Sequence, residues 1–290
     1  MTRYLVTGAG GMLGHDLLDV LAGRDVTAAT RAELDITDTA KVRDLVEGHD
    51  VVLNAAAWTD VDRAESDEAG ATAVNGTGVA TLATACAAAG ARLLHVSTDY
   101  VFPGDADAPY AEDAPTAPIN AYGRSKLAGE RAVLDTLPAT GYVVRTAWLY
   151  GAHGKSFVAT MLRLAGEREF VDVVDDQVGQ PTWSRDLAER LIALADGGAP
   201  AGVYHGTASG QTSWHGLAEA VFAGAGHDPA RVRRTSSEAF KRPAPRPSYS
   251  VLGHARWAAA GLAPMRPWHD MLTAALADPA FATRADEAPR

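Results

Sequence analysis

The chain opens on a short apolar run, Tyr4-Leu5-Val6-Thr7, that breaks directly into Gly8-Ala9-Gly10-Gly11-Met12-Leu13-Gly14. No other stretch narrows the fold as far. An apolar run of this length fits a strand buried on both faces of a parallel sheet. The glycines permit a tight turn and let a pyrophosphate approach the backbone, and Gly14 lets the next helix pack closely on the sheet. That helix, with Leu17, Leu18 and Leu21 as its apolar face, aims its N-terminus at the phosphates. A glycine fingerprint carries this meaning only with a strand before it and a helix after it. Both patterns are present, and the expected ligand is a dinucleotide.

The first half continues as alternating strand and helix patterns. Strands are expected at Tyr4–Thr7, Val26–Ala29, Val51–Asn54, Leu93–Ser97 and Tyr142–Arg145. Helices are expected at Thr39–Glu47, at Ala69–Ala89 and from Tyr122 to about Leu137. This alternation predicts an α/β fold, a doubly wound parallel sheet of the Rossmann type with right-handed crossovers. After Tyr150 the pattern becomes irregular, with helices expected at Ser184–Ala195, Trp214–Phe222 and Pro267–Ala277. The reading is a dinucleotide-binding domain over 1–150 and a smaller, mainly substrate-binding C-terminal lobe over 151–290. Some segments of that lobe return to the first domain, and 283–290 reads as a disordered tail.

A net charge of −10 and a pI near 5.3 argue against nucleic-acid or anionic-membrane partners. Arg231, Arg233 and Arg234 read as a solvated face. No apolar run approaches the ~18 residues of a membrane span, and no signal peptide is recognised, so a soluble cytoplasmic protein is expected. The single cysteine, Cys86, has no internal disulfide partner and lies in an alanine-rich helical stretch, where an inert buried thiol is expected.

The second strand ends at Thr30-Arg31 rather than at the acidic residue typical of NAD sites. Arg31 can pair with a 2′-phosphate or be an exposed loop residue. NADPH is therefore the expected cofactor, with NADH as the alternative. Asp35, beside Ile36, can accept a bond from an adenine amino group or cap the next helix. Thr37 or Asp38 is the better cap, which leaves Asp35 for the ligand. After the third strand, the small residues of Asn54-Ala55-Ala56-Ala57-Trp58-Thr59 let the backbone pass close to a ribose, or simply pack tightly.

Ligands of open α/β sheets bind at the carboxyl ends of strands. Ser97-Thr98-Asp99 follows Leu93-Leu94-His95-Val96 and occupies such an end. The Thr98 hydroxyl can donate to a substrate carbonyl, and Asp99 can bind substrate hydroxyls. Downstream, Tyr122 and Lys126 are four residues apart on a predicted helix and share a face. A free tyrosine is a poor acid at neutral pH, but a neighbouring ammonium favours its phenolate and lowers its pKa. Thr98, Tyr122 and Lys126 form the expected catalytic set. Tyr122 protonates a carbonyl oxygen as hydride arrives, Thr98 bonds the same oxygen, and Lys126 tunes Tyr122 and holds the nicotinamide ribose.

At this point the chain resembles the dTDP-4-dehydrorhamnose reductase family of extended short-chain dehydrogenases/reductases, nearly end to end. Two motifs are generic to that superfamily, the glycine turn Gly8–Gly14 and Tyr122-Gly123-Arg124-Ser125-Lys126. A third, Leu34-Asp35-Ile36-Thr37, adds to them. More specific are Asn54–Thr59 with Val61-Asp62-Arg63-Ala64-Glu65, and Ser97-Thr98-Asp99-Tyr100-Val101-Phe102. Arg145-Thr146-Ala147-Trp148-Leu149-Tyr150 also matches. The most specific motifs of the second half are Asp175-Asp176-Gln177-Val178-Gly179-Gln180-Pro181-Thr182 and Arg246-Pro247-Ser248-Tyr249-Ser250-Val251-Leu252.

The resemblance implies reduction of the 4-keto group of dTDP-4-dehydro-L-rhamnose by NAD(P)H, giving dTDP-L-rhamnose, with Thr98, Tyr122 and Lys126 as catalytic residues. It places Gly11, Met12, Leu13, Asp35, Ile36, Ala57, Trp58 and Thr59 near the cofactor. Val61, Asp99, Tyr100 and Trp148 face the sugar nucleotide, although Trp148 alone would also suit a packed core. Some members bind Mg²⁺ through carboxylates at a dimer interface. Here Asp16 and Asp186 are the counterparts, but His15 and Arg185 beside them disfavour a cation, so no metal is expected. Gly253 departs from the acidic residue that many relatives carry there. The chain is expected to be a monomer or homodimer. The alternatives are a 4-ketoreductase for another NDP-4-keto-6-deoxysugar, such as an antibiotic sugar, and a non-enzymatic NADP-binding regulatory subunit. A dehydratase is disfavoured because Thr98 is followed by Asp99-Tyr100 rather than Asp-Glu.

Overall fold

The structure, a computed structural model, describes residues 1–281. The expected tail at 283–290 lies outside the described residues. Strands β1 (Arg3–Thr7), β2 (Asp25–Ala29), β3 (Val51–Asn54), β4 (Arg92–Thr98) and β5 (Gly141–Thr146) join a sixth strand, Gly202–His205, in one sheet. The order is Gly202–His205, β5, β4, β3, β1, β2, and every neighbouring pair is parallel. β3 and β5 are buried throughout their length, whereas edge strand β2 is partly exposed. The chain reverses its direction of growth between β1 and β3, and that switch point is where a doubly wound sheet opens its ligand crevice.

Helices α1 (Met12–Val20), α2 (Thr39–Val46), α3 (Val61–Ser66), α4 (Glu68–Thr72), α5 (Val79–Ala89) and α6 (Ala121–Thr136) supply the crossovers of the first half. One face of the sheet packs Leu5, Val52, Leu93 and Val143 against Val42, Val46, Leu82 and Cys86. The other packs Tyr4, Val6, Leu53 and Val144 against Leu17, Leu187 and Leu191 and continues into Trp257 and Trp268. The chain after Tyr150 therefore returns to the sheet with a strand and with the helix Ser184–Asp196, which packs on α1. Cys86 is buried, and burial pushes its thiol up to about 12.

The stretch expected to be helical over Ala69–Ala89 is helical throughout, but not uniformly α. α4 and α5 are separated by a π-helical turn, Ala73–Gly78. Three glycines, Gly70, Gly76 and Gly78, weaken the helix here, and close neighbours exploit the gap: a Cβ on Gly78 would lie 2.8 Å from Ile36. The wider turn carries buried Asn75, whose side chain is spent on tertiary bonds.

Candidate active site

The glycine turn closes around β3. Gly8 has φ +71°, and a Cβ there would lie 2.5 Å from the Ala56 nitrogen, while one on Gly14 would run into the Gly8 carbonyl. Gly11 donates to the Gly8 carbonyl at 2.9 Å and stands at the N-terminus of α1 with no side-chain cap. Met12 and Leu13 form the first turn of that helix. A Cβ-free surface facing an uncapped helix start suits a pyrophosphate, so these residues fit a dinucleotide.

Arg31 is exposed just beyond β2. Beside it the Glu33 carboxylate turns back to accept from the Thr30 N–H and hydroxyl, both at 2.8 Å, a local box that the sequence reading missed. Asp38 caps α2 through the Lys41 N–H, as expected. Asp35 is only half available, because one oxygen accepts from the Thr37 N–H at 2.9 Å and its hydroxyl at 2.8 Å. The expectation of a free carboxylate is corrected by this Asx turn. Ile36 is buried. Ala57, Trp58 and Thr59 leave the end of β3, where Asn75 accepts from the Trp58 N–H at 2.9 Å, donates to its carbonyl at 3.0 Å and donates to the Ser125 hydroxyl at 3.0 Å. One buried amide thus ties the cofactor-side loop to α6.

α6 starts at Asn120, whose side chain accepts from the Gly123 N–H at 2.7 Å. Any Cβ on Gly123 would strike the Tyr100 carbonyl, so the first turn of α6 rests directly on the 3₁₀ turn Asp99–Val101. Tyr122 thereby meets the end of β4, its ring edge-on to Tyr100 at 5.9 Å. Burial pushes the Tyr122 hydroxyl up to about 12, the nearby Asp99 charge adds to the rise, and the Thr98 hydroxyl opposes it. Burial likewise raises Tyr100. Asp99 is buried, with one oxygen lacking a hydrogen-bond partner among the described residues. Burial pushes its carboxyl up to about 6 against the Ser250 and Thr98 hydroxyls. Thr98 donates to Asp99 at 3.0 Å and accepts from the Tyr100 N–H at 3.2 Å.

Lys126 does not act on Tyr122 as expected. Its buried Nζ donates to the Val96 carbonyl at 2.7 Å and lies 3.3 Å from His95 Nε2, on the β4 backbone. In the unliganded protein desolvation of the Tyr122 phenol therefore outweighs any help from the ammonium. Burial also pushes Lys126 itself down to about 8, against the pull of Glu130.

On the substrate side, Val61 opens α3, which Asp60 caps. Asp62 beside it accepts from both terminal nitrogens of Arg246 at 3.0 Å and from the Ala244 N–H at 3.2 Å, which joins α3 to the C-terminal motif. Trp148 adopts φ +45°, among the described residues the one non-glycine with positive φ, and stacks on Trp214 at 3.6 Å. Gly179 accommodates the ring, since a Cβ there would lie 2.6 Å from it. Such backbone strain persists only where surrounding structure enforces it. Trp214 went unnoticed in the sequence, where nothing links it to Trp148.

Asp16 and Asp186 are not brought together as one metal site. Arg266 grips Asp186 through two bonds of 2.6 and 2.7 Å, whereas Asp16 is buried near Ser184, Asp19 and His153, with Arg185 4.0 Å from Asp19. Arg266 thus occupies Asp186, while Asp16, Asp19 and His153 bring ligand atoms within 4.8 Å of one another.

A doubly wound sheet with a glycine cradle at its switch point, and a Thr-Tyr-Lys set at the adjoining strand end, defines a dinucleotide-dependent oxidoreductase. The chain belongs to the family described as the RmlD substrate binding domain, whose model matches residues 2–280. It is 58% identical to a dTDP-4-dehydrorhamnose reductase of Streptomyces griseus, over 93% of this chain and 92% of that one. It is 53% identical to a dTDP-4-keto-6-deoxy-D-glucose reductase of Streptomyces niveus, over 94% and 96%. The structure of a dTDP-4-dehydrorhamnose reductase from Bacillus anthracis, solved in complex with NADP, superposes with a TM-score of 0.92 at 37% identity, covering 96% of this chain and 99% of that one.

Proposed function

We propose that this chain is an NADPH-dependent 4-ketoreductase that converts dTDP-4-dehydro-L-rhamnose to dTDP-L-rhamnose, with NADH as the weaker donor. The observation that carries the reading is the placement of Thr98 at the carboxyl end of β4 and of Tyr122 on the first turn of α6, which rests on the Asp99–Val101 turn directly after Thr98. The dinucleotide, when bound, supplies the hydride. Gly8, Gly11, Met12, Leu13 and Gly14 hold its pyrophosphate, and Arg31 favours the form carrying a 2′-phosphate. Asp35, Ile36, Ala57, Trp58 and Thr59 line the nucleoside halves.

Tyr122 gives its proton to the sugar C4 oxygen as negative charge develops there, and Thr98 donates a second hydrogen bond to that oxygen. For Thr98 to do so, its hydroxyl must turn away from Asp99. A Tyr122 phenol pushed up to about 12 is a weak acid toward water but remains stronger than an alcohol, so protonation of an alkoxide is downhill. Val61, Asp99, Tyr100 and Trp148 face the sugar nucleotide, and the segments after residue 150 that do not return to the sheet cover it. The chain acts as a monomer or homodimer in the cytoplasm, without nucleic-acid or membrane partners. In support, no helix among the described residues is long and apolar enough to cross a membrane.

The test is NADPH oxidation with enzymatically generated dTDP-4-dehydro-L-rhamnose. Wild type should turn over, and Tyr122→Phe should lose about 10²–10⁴-fold in kcat. A second reading, reduction of another dTDP-4-keto-6-deoxyhexose, is favoured by the 53% identity to the Streptomyces niveus protein. The 6-deoxy-D-glucose isomer belongs in the same assay. Dinucleotide binding without turnover of either sugar would overturn both readings and favour a regulatory subunit.

A further inference from the structure

His95 has no part in the chemistry described so far, yet it is fully buried and touches Lys126. Its tautomer can be worked out from its neighbours. The Ala56 N–H, which can only donate, reaches Asn54 Oδ1 at 3.1 Å, and the Thr7 hydroxyl reaches the same oxygen at 2.7 Å. The Asn54 amide is thereby oriented, because the flipped amide would set its NH₂ against the Ala56 N–H. Asn54 Nδ2 must then donate to His95 Nδ1 at 2.9 Å. A buried imidazole stays neutral, and burial together with the Lys126 charge holds His95 well below its usual pKa. With Nδ1 accepting, the one ring proton lies on Nε2, pointed at Lys126 Nζ 3.3 Å away.

An N–H facing an ammonium is a contact between two donors. An N–H facing a neutral amine is a hydrogen bond, since the amine has a lone pair and can still donate to the Val96 carbonyl. Other charges near Lys126 do little to change this. On α6 itself Glu130 favours the ammonium but is shared by Ser97 and Arg145, and Tyr122 is neutral at physiological pH. Asp99 lies beyond Tyr122 in the 3₁₀ turn. Glu65 and Glu68, on α3 and α4, are taken by the Ala121 N–H and by Arg124. Arg145 on β5 is bonded to Glu130.

We propose that Asn54 and His95 are positioning residues that set the charge of Lys126: the relay Thr7–Asn54–His95 presents a locked N–H to Nζ and makes Lys126 an exchangeable proton carrier rather than a fixed cation. The inference rests on the reading of Lys126 as part of the reductase site. Its proton balance is simple. The ammonium gives one proton to solvent water, becomes the amine that accepts from His95 Nε2–H, and takes one proton back from solvent, while His95 keeps its own throughout.

NMR on the full unliganded chain tests this without substrate. The chain has four lysines, and Lys41, Lys155 and Lys241 are exposed, so a ¹³C-lysine titration separates Lys126. Lys126 should titrate near 8, well below the ordinary range of a lysine ammonium. ¹⁵N-histidine spectra should show His95 neutral with its proton on Nε2. In Asn54→Asp the carboxylate accepts from Nδ1–H, the tautomer reverses, and Lys126 should rise by about one unit or more.

Three results would overturn the proposal: an Nδ1–H tautomer in wild type, Lys126 titrating in the ordinary range of a lysine ammonium, or a Lys126 rise in Asn54→Asp without tautomer reversal, which would be a charge effect alone. If Asn54→Asp does not fold, the two wild-type spectra decide. Where turnover is measurable, the alkaline limb of kcat should move up with Lys126 in Asn54→Asp. Failure of the sugar assignment would leave the NMR outcomes untouched.

Discussion

Glu130→Ala should be among the most damaging single substitutions outside the catalytic set. Glu130 and Arg145 are 1% and 5% exposed and make two parallel bonds of 2.9 and 2.7 Å, with the Ser97 hydroxyl donating to the same carboxylate at 2.6 Å. Truncation leaves a guanidinium in the interior with only the Glu112 carbonyl at 3.2 Å and the His205 ring nitrogen at 3.4 Å as partners. Breaking a buried pair from one side costs about 3–5 kcal/mol, mostly as an uncompensated charge. With a urea m-value of about 3 kcal/mol/M, the midpoint falls by roughly 1–1.7 M. The partner truncation Arg145→Ala should cost a similar amount, and the double variant much less than the sum, because the second change removes the stranded charge. Urea unfolding of the four proteins, followed by tryptophan fluorescence and far-ultraviolet circular dichroism together, measures this cycle. Ser97 precedes Thr98, so kcat should fall as well. A Glu130→Ala loss below about 1 kcal/mol, or simple additivity with Arg145→Ala, would refute the argument.

Asp99 provides a test of sign. Its folded pKa is raised to about 6, so ionisation opposes folding, and its contribution to stability is fully present only at acid pH and is lost as pH rises through about 6. Asp99→Asn should therefore be more stable than wild type at pH 8, by on the order of 2–3 kcal/mol in urea melts. At pH 3, below the unfolded pKa, the two should nearly match, and an equal difference at both pH values would count against burial as the cause. Arg31→Glu should raise the KM for NADPH about 10–100-fold and change that for NADH little, the loss of one charge-assisted phosphate contact. Parallel changes for both cofactors would place Arg31 away from the 2′-phosphate. Gly14→Ala pushes a methyl group into the Gly8 carbonyl and should weaken NADPH binding at least about tenfold by calorimetry. An unchanged Kd would show that the cradle can yield.

The features legible in the sequence are those whose cause is local. β1 and the glycine turn are adjacent in the chain, and so are the end of β4 and Thr98. The four-residue spacing of Tyr122 and Lys126 correctly put both on α6. Asp38 as the α2 cap needed only its next three residues. The π turn was not legible, because its reason lies in Asn75 bonding Trp58 from 17 residues away and Ser125 from 50. The Trp148–Trp214 stack and the Asp62–Arg246 clamp join segments 66 and 184 residues apart, each made of residue types common in cores and on surfaces.

The misreading of Lys126 has a different origin. Spacing along a helix fixes the face on which a side chain starts, but a lysine has four further rotatable bonds, and its ammonium goes to the best acceptor within reach. In this chain that acceptor is the Val96 carbonyl on β4, two residues before Thr98. Gly129 lets α6 sit close to this pair, since a Cβ there would strike the Asn75 carbonyl. The motif reports that a tyrosine and a lysine serve one site; the charge the lysine carries there depends on Asn54 and His95, two residues on neighbouring strands that no motif of the helix contains.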